Sequence, residues 1–560
     1  MLKSFWRNGS LIFSHKQVNI LSAATVIMVA VAISRLLGLL RDRLLAGTFF
    51  GGQERQLDVY FAAFRLPDMI FQLLVLGALS AAFIPVFSRY LEKDEKEAYR
   101  LSSSVINFLM AVFILLALIV FVFARPLANL IAPAFSPAEI NLMVDLTRIM
   151  LLAQIFFCVS NFLTGVIQSK QRFLVPALSP IVYNLGIIFG IVGLGHWLGI
   201  FGPTVGVVLG AFLHLIIQLP LALRLGLRYS FVFDWRHPGV REVVRLMLPR
   251  TFALAVNQIE LTVAVFLATS LAAGSLSIFY FAQHLMNLPI GLFGTTIGQA
   301  ALPTLSRESG EENFSKFKQT FLASFNQILY LVLPASAILL VLRIPAVRIV
   351  FGAASFPWKA TLLTGRVLAV FSISIFAQAI IQLLVRGFYA LHDTKTPFWI
   401  SVVSVFTNVA LSFLFIFRFD LGILGLAWAT TIASFLQTGL LLVLLNQAVR
   451  GFSKKELFIP VIKMGLATFL TAVALWIPMR FLDQFILDTT RTINLVILTM
   501  IATFSGMIVY FVLSYLFNIA ELKSFISLAK KLGRWQQVLK ESEEIITTSS
   551  SQPASEEVSS

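Results

Sequence analysis

Apolar windows of about 20 residues, each able to cross a bilayer as a helix, recur along the chain and limit what it can fold into more than any other feature. Fourteen are read, at 20–49, 57–88, 101–124, 141–168, 174–196, 202–224, 242–271, 275–304, 319–342, 360–389, 397–417, 421–446, 458–480 and 492–517. Only 12% of the 560 residues are charged, against about 25% in globular domains, and mean hydropathy is +0.88. The pattern excludes a soluble enzyme on a single anchor and predicts an all-α polytopic membrane protein.

A net charge of +16 would suggest nucleic acid in a soluble protein. Here the basic residues gather in short loops between apolar spans, so no nucleic-acid partner is expected. One set of loops holds Arg89, Lys93, Lys96 and Arg100; Lys170 and Arg172; Arg224, Arg228, Arg236 and Arg241; Arg307, Lys316 and Lys318; Lys395; and Arg450, Lys454 and Lys455. The alternate loops, near 197–203, 272–275 and 418–420, are short and poor in Lys and Arg. The basic set is therefore read as cytoplasmic, and both termini with it. The apolar segment after Asn19 is too long for a signal-peptide core, so no cleaved signal is expected. Cys158, the single cysteine, lies in IFFCVS and reads as a small core residue.

The chain repeats itself. SAAFIPVFSR (Ser80 to Arg89) returns as GQAALPTLSR (Gly298 to Arg307), and LGIFG (Leu198 to Gly202) as LGILG (Leu421 to Gly425), at offsets of 218 and 223. Six spans fall in each repeat. An even number keeps both copies in one orientation, which predicts two parallel six-helix lobes with a site between them. The expected organisation is a basic segment 1–19, lobes 20–228 and 229–447, two further spans 448–518, an amphipathic cytoplasmic helix 519–540 and a disordered tail 541–560.

The stretch from Ser34 to Arg89 is charged where its flanks are apolar. It carries Arg35, Arg41, Asp42, Arg43, Asp58, Arg65 and Asp68. Such charges cost about 2.5–3.5 kcal/mol each at membrane depth, and are tolerated against a wet cavity or one another. On a helix Arg35, Gly38 and Asp42 share a face with Arg41 at its side. Asp58, Arg65, Asp68 and Gln72 form a second stripe, where Pro67 frees a backbone carbonyl. The arginine fork suits an anion such as a diphosphate; the alternative is an Arg–Asp network that only fastens helices. Glu260 is a lone carboxylate in the seventh span, flanked by Asn257 and Gln258. With Asn408, Ser412 and Thr430 it could form an oxygen-rich cation site, or it could be a neutral, hydrogen-bonded acid. His284, between Gln283 and Asn287 in its span, reads as a packing residue or as a pH-sensing substrate contact. No Walker loop, Gly-x-Ser-x-Gly elbow, His-Glu-x-x-His or Cys-x-x-Cys pair occurs, so no catalytic residue, metal or cofactor is expected and the chain does not read as an enzyme.

SRLLGLLRD (Ser34 to Asp42), LDVYFAAFRLPD (Leu57 to Asp68), FIPVFSR (Phe83 to Arg89) and GFYALHDTKTP (Gly387 to Pro397) resemble the MurJ (MviN) family of lipid II flippases, within the multidrug/oligosaccharidyl-lipid/polysaccharide exporter superfamily. The resemblance covers roughly residues 20–520. It implies fourteen helices, a cationic cavity between two lobes, a lipid-tail groove from the last two helices, and a bacterial inner-membrane location. It implies lipid II, a polyprenyl-diphosphate glycolipid, as substrate, with membrane lipids and other cell-wall synthesis proteins as partners. Arg35, Arg41, Asp42, Asp58 and Arg65 match the family's motifs. Four positions depart: Phe71, beside Gln72, stands where members have an arginine, and Gln283, His284 and Asn287 stand for an Asp-Arg pair and a Glu. On that pattern His284 faces arginines, which would disfavour its charged form, whereas bound diphosphate would favour it. The drive would be a Na+ or H+ gradient or the membrane potential. Other readings are a flippase for another polyprenyl-linked glycan, a drug/cation antiporter, a non-transporting scaffold and an intramembrane glycosyltransferase. The antiporter wants an acidic cavity and the glycosyltransferase a loop carboxylate cluster.

Overall fold

The structure, a computed structural model, describes residues 20–76, 82–170, 172–310, 314–352, 355–489, 491–523 and 525–526. The N-terminal segment 1–19, most of the expected amphipathic helix 519–540 and the tail 541–560 lie outside the described residues. So do Ser80 and Ala81 of the repeated motif. All regular structure among the described residues is helical.

The first half comprises α1 (Ile20–Phe49), α2 (Glu54–Ala63), α3 (Arg65–Phe71), α4 (Ile84–Lys93), α5 (Glu95–Val122), the short α6 (Ala124–Ile131), α7 (Pro137–Ser169), α8 (Leu174–Leu198) and α9 (Phe201–Arg224). The second comprises α10 (Pro238–Thr269), α11 (Ser275–Glu308), α12 (Ser315–Val341), the short α13 (Arg343–Phe351), α14 (Trp358–Ala390), α15 (Lys395–Arg418) and α16 (Ile423–Ala448). Two more helices follow, α17 (Lys454–Phe485) and α18 (Thr492–Leu516). Local sequence sets several starts. Asp94 caps α5 through the Lys96 amide at 2.8 Å. Ser136 and Glu139 form a reciprocal capping box on α7, with Pro137 in its first turn.

Twelve helices among the described residues are long and apolar enough to cross a membrane. The first two of the fourteen windows differ from the rest for visible reasons. Four charged residues, Arg35, Arg41, Asp42 and Arg43, sit inside the 30-residue α1. The second window is broken into α2, α3, a π turn (Gln72–Leu76) and α4. Pro67 has no N–H for the Ala63 carbonyl one turn back; the Thr147 hydroxyl of α7 donates to that carbonyl instead, at 3.2 Å.

Helix pairing in the first half recurs in the second. In the first, α1 packs on α8, α8 on α9, α9 on α7 and α7 on α5; in the second, α10 packs on α15, α15 on α16, α16 on α14 and α14 on α12. The last pair, α17 and α18, pack together, and α17 lies on α12. The α8–α9 contact is backbone to backbone. A Cβ on Gly190 would stand 2.6 Å from both the Gly202 carbonyl and the Gly206 Cα, the close approach that small residues permit in membranes. Large apolar side chains such as Phe406, Phe469 and Phe504 are exposed on the outside, as lipid contact requires.

Candidate functional site

Arg35, Asp42, Asp58 and Arg65 of α1–α3 reach across to the second half, forming a polar seam. At one end, Asp58 is fully buried. Its carboxylate accepts from the Gly274 amide at 2.7 Å and from the Ser277 amide and hydroxyl at 2.8 and 2.7 Å. Those amides belong to the first turn of α11 and the residue before it, so Asp58 caps a helix of the other half. Nearby, Arg55 joins Glu139 of its own half at 3.2 Å and the Leu271 carbonyl of the other, also at 3.2 Å.

Further along, Asp42 is held between two groups. Arg41 donates to it from Nε and Nη2 at 3.0 and 2.8 Å, and a third Arg41 nitrogen reaches Asn184 Oδ1 at 3.3 Å. From the other half, His284 Nδ1 lies 2.7 Å from the second Asp42 oxygen. The charged group closest to His284 is thus a carboxylate, not the arginine cluster that the family pattern suggested. The reason is local: Arg41 folds back on its neighbour Asp42 and presents the acid to the histidine.

Arg65 is buried. It donates to Thr262 Oγ1 at 2.9 Å and to the Gln258 carbonyl at 3.2 Å, with Gln258 Oε1 also in contact. Gln258 Nε2 in turn donates to Gln72 Oε1 at 2.7 Å. Arg35 reaches the Leu288 carbonyl at 3.3 Å, where α11 passes Pro289 into a π turn at Ile290–Thr295. Its guanidinium lies against Gly291, where an added Cβ would come within 2.7 Å of Nη1. Arg35 also lines a cleft of about 410 Å³ with Ser34, Gln168 and Pro180.

The stripe read along the second span does not share one face. Asp58, Arg65 and Gln72 turn to the second half, whereas Asp68 accepts from Gln154 of α7, within the first, at 2.8 Å. Phe71 packs on Phe157 with ring centroids 5.8 Å apart. Asn184, Gln258, Thr262 and Ser277 were missed as site residues. Each is a polar side chain in an apolar helix, and that is the signal by which they could have been found.

Glu260 accepts from Asn408 Nδ2 at 2.6 Å. Asn408 Nδ2 lies 3.4 Å from Thr430 Oγ1, and its Oδ1 accepts from Ser412 at 3.1 Å. Four of the five residues read as a cation group therefore meet at α10, α15 and α16. Asn257 is exposed and makes no hydrogen bond with them.

Two halves with the same helix pairing, joined by a seam bearing arginines, are the build of a multi-pass membrane transporter with parallel repeats. A solved structure titled "Lipid II flippase MurJ, inward closed conformation" matches with a TM-score of 0.73 and 25% identity, covering 88% of this chain and 98% of that one. An inward-facing transporter of the multidrug resistance MATE family shares the fold, with a TM-score of 0.61 at 14% identity, over 76% and 98% of the two chains. The probable lipid II flippase MurJ of Buchnera aphidicola subsp. Acyrthosiphon pisum is 27% identical over 480 residues, 84% of this chain and 93% of that protein. The profile of the family described as "Lipid II flippase MurJ" matches residues 47–496, and the chain belongs to that family.

Proposed function

We propose that the chain flips lipid II, a polyprenyl-diphosphate-linked peptidoglycan precursor, from the cytoplasmic to the outer leaflet of the bacterial inner membrane. Both termini are cytoplasmic, and no bond is made or broken. One observation carries the reading. Arg35 and Arg65 spend their donors on neutral oxygens of the opposite half, the Leu288 carbonyl, Gln258 and Thr262, and among the described residues no carboxylate lies within ion-pair distance of either. When the halves separate, those oxygens leave and the guanidiniums are free to bind a diphosphate, for which their forks are well shaped. The donors that seal the seam are then the ones that hold the substrate, so binding and opening are coupled through one set of contacts. Arg41 supplies a third cation, and Asp42, Asp58, Gln72 and His284 position the wall.

The lobes are 20–228 and 229–447, with helices 448–518 serving the lipid tail. Energy comes from the membrane potential or from a Na+ or H+ gradient, with Glu260, Asn408, Ser412 and Thr430 as the cation group. Membrane lipids and other cell-wall synthesis proteins are the further partners. The test is complementation of a strain depleted of its lipid II flippase. Wild type should restore growth, and Arg35→Ala, Arg41→Ala and Arg65→Ala should each fail while reaching the membrane in normal amount. Glu260→Gln should remove any Na+ or H+ dependence of transport. Growth with all three arginine variants would place the anion site elsewhere.

A further inference from the structure

A second basic cavity lies outside the seam, at the end of the bundle where α12 finishes, α14 and α18 begin and α17 finishes. Its volume is about 500 Å³. Arg343 and Arg348 of α13 and Arg480 of α17 line it, together with Trp358, Trp476 and Asp483. Three cations and one acid leave it with a net charge of +2. Asp483 accepts from Thr489 at 2.7 Å, and none of the three arginines makes an ion pair among the described residues. Instead Arg348 lies over the Trp358 ring at 5.4 Å and Arg480 over Trp476 at 5.9 Å. Arg343 spends one donor on the Leu340 carbonyl at 2.9 Å. Stacked guanidiniums keep their in-plane donors, so they remain free to bind an anion.

The position of the cavity says what kind of anion. All its helices end or begin there, and half-exposed tryptophans beside arginines mark the level of lipid headgroups. The helix ends with Lys316 and Lys318 at the start of α12, and Lys454 and Lys455 at the start of α17, are at the opposite membrane face. Short helix α6 occupies the matching place in the first half: Arg125 sits at the 218-residue offset from Arg343. There Asn129 stands near the position of Arg348, and α17 and α18 are not packed on it. The cavity is therefore particular to the second half and its two added helices.

We propose that this cavity binds a phosphate group borne by a lipid, at the membrane face opposite the basic loops. The shared chemistry is a phosphate ester at headgroup level. Its two sources are an anionic glycerophospholipid and a polyprenyl phosphate. The proposal is independent of the seam, because none of its residues takes part there.

The experiment uses full-length protein in nanodiscs of zwitterionic phosphatidylcholine, with lipid retention read by native mass spectrometry. Phosphatidylglycerol, polyprenyl monophosphate and inorganic phosphate are titrated separately. At least one lipid phosphate should be retained by wild type, and preference between the two names the source. Replacing all three arginines by glutamine should lower that retention roughly tenfold or more, given about 1 kcal/mol for each basic residue near a membrane surface. Arg125→Gln should leave it unchanged. Should the triple variant fail to fold, the exposed Arg480→Gln alone should lower retention severalfold. The proposal is overturned if neither lipid is retained above phosphatidylcholine, if inorganic phosphate binds as tightly as both lipids, or if the arginine and Arg125 variants behave alike.

Discussion

Asp58 and Asp393 are both read from sequence motifs, and both turn out to hold backbone amides. Asp58 satisfies two amides at the start of α11, 216 and 219 residues away. Asp58→Ala would leave those buried donors unpaired, at about 1–3 kcal/mol each, so the detergent-solubilised protein should melt several degrees lower. A melting point equal to wild type would show that water replaces the carboxylate. Asp393 lies in the loop before α15, within GFYALHDTKTP. Burial pushes its carboxyl up, but the Thr396 side chain and the amides of Thr396 and Lys395, each 3.0 Å from Oδ1, hold it below the usual carboxylate range. Its folded-state value is thus below its unfolded value of about 3.9. Its stabilisation is fully present above that unfolded value and is lost as pH falls through the folded one. Thermal melts of wild type and Asp393→Asn should differ at pH 7 and converge as the pH falls below the folded-state value; a difference independent of pH would contradict this. Proximity in the chain decides what was legible here. The turn at Asp393 closes within three residues, whereas the capping role of Asp58 depends on a partner in the other half, which no local pattern reports.

At the scale of helices, twelve of the fourteen windows and their order were legible because lipid demands long apolar runs with every backbone group paired internally. The broken second span was half legible. Pro67 announced a free carbonyl, but not that Thr147 would fill it or that the chain would pass into a π turn. The small residues of α8 and α9 carry no such signal in the sequence, and only packing shows that their backbones touch. Gly190→Leu should force those helices apart and cost upwards of about 3 kcal/mol. Gly465→Leu on α17, where an added Cβ meets nothing within 4 Å, should be nearly neutral. The comparison is the urea or heat midpoint of each variant in the same detergent, and equal midpoints would mean that the α8–α9 contact yields freely.

For the whole molecule, the internal repeat foretold two halves of like build, and the recurring helix pairing agrees with that. The candidate site was legible only as a set of residue types. Arg35, Arg41, Arg65, Asp42, Asp58 and His284 were all named, yet the sequence suggested an open charged chamber; in the structure Arg35, Arg65, Asp42 and Asp58 meet groups of the opposite half, His284 among them, while Arg41 stays on Asp42 and Asn184 of its own half. The difference is physical: a charge in an apolar bundle takes whatever partner the conformation provides, and in this closed arrangement the partners are protein groups. The central claim is that the seam arginines exchange those partners for the substrate's diphosphate. Equilibrium binding of a polyprenyl-diphosphate ligand to purified Arg35→Ala, Arg41→Ala and Arg65→Ala proteins tests it most directly. Losing a hydrogen bond between charged groups costs about 1.5–3 kcal/mol, so each variant should bind roughly 10- to 150-fold more weakly than wild type while melting as a folded protein. Wild-type affinity in all three would contradict the account.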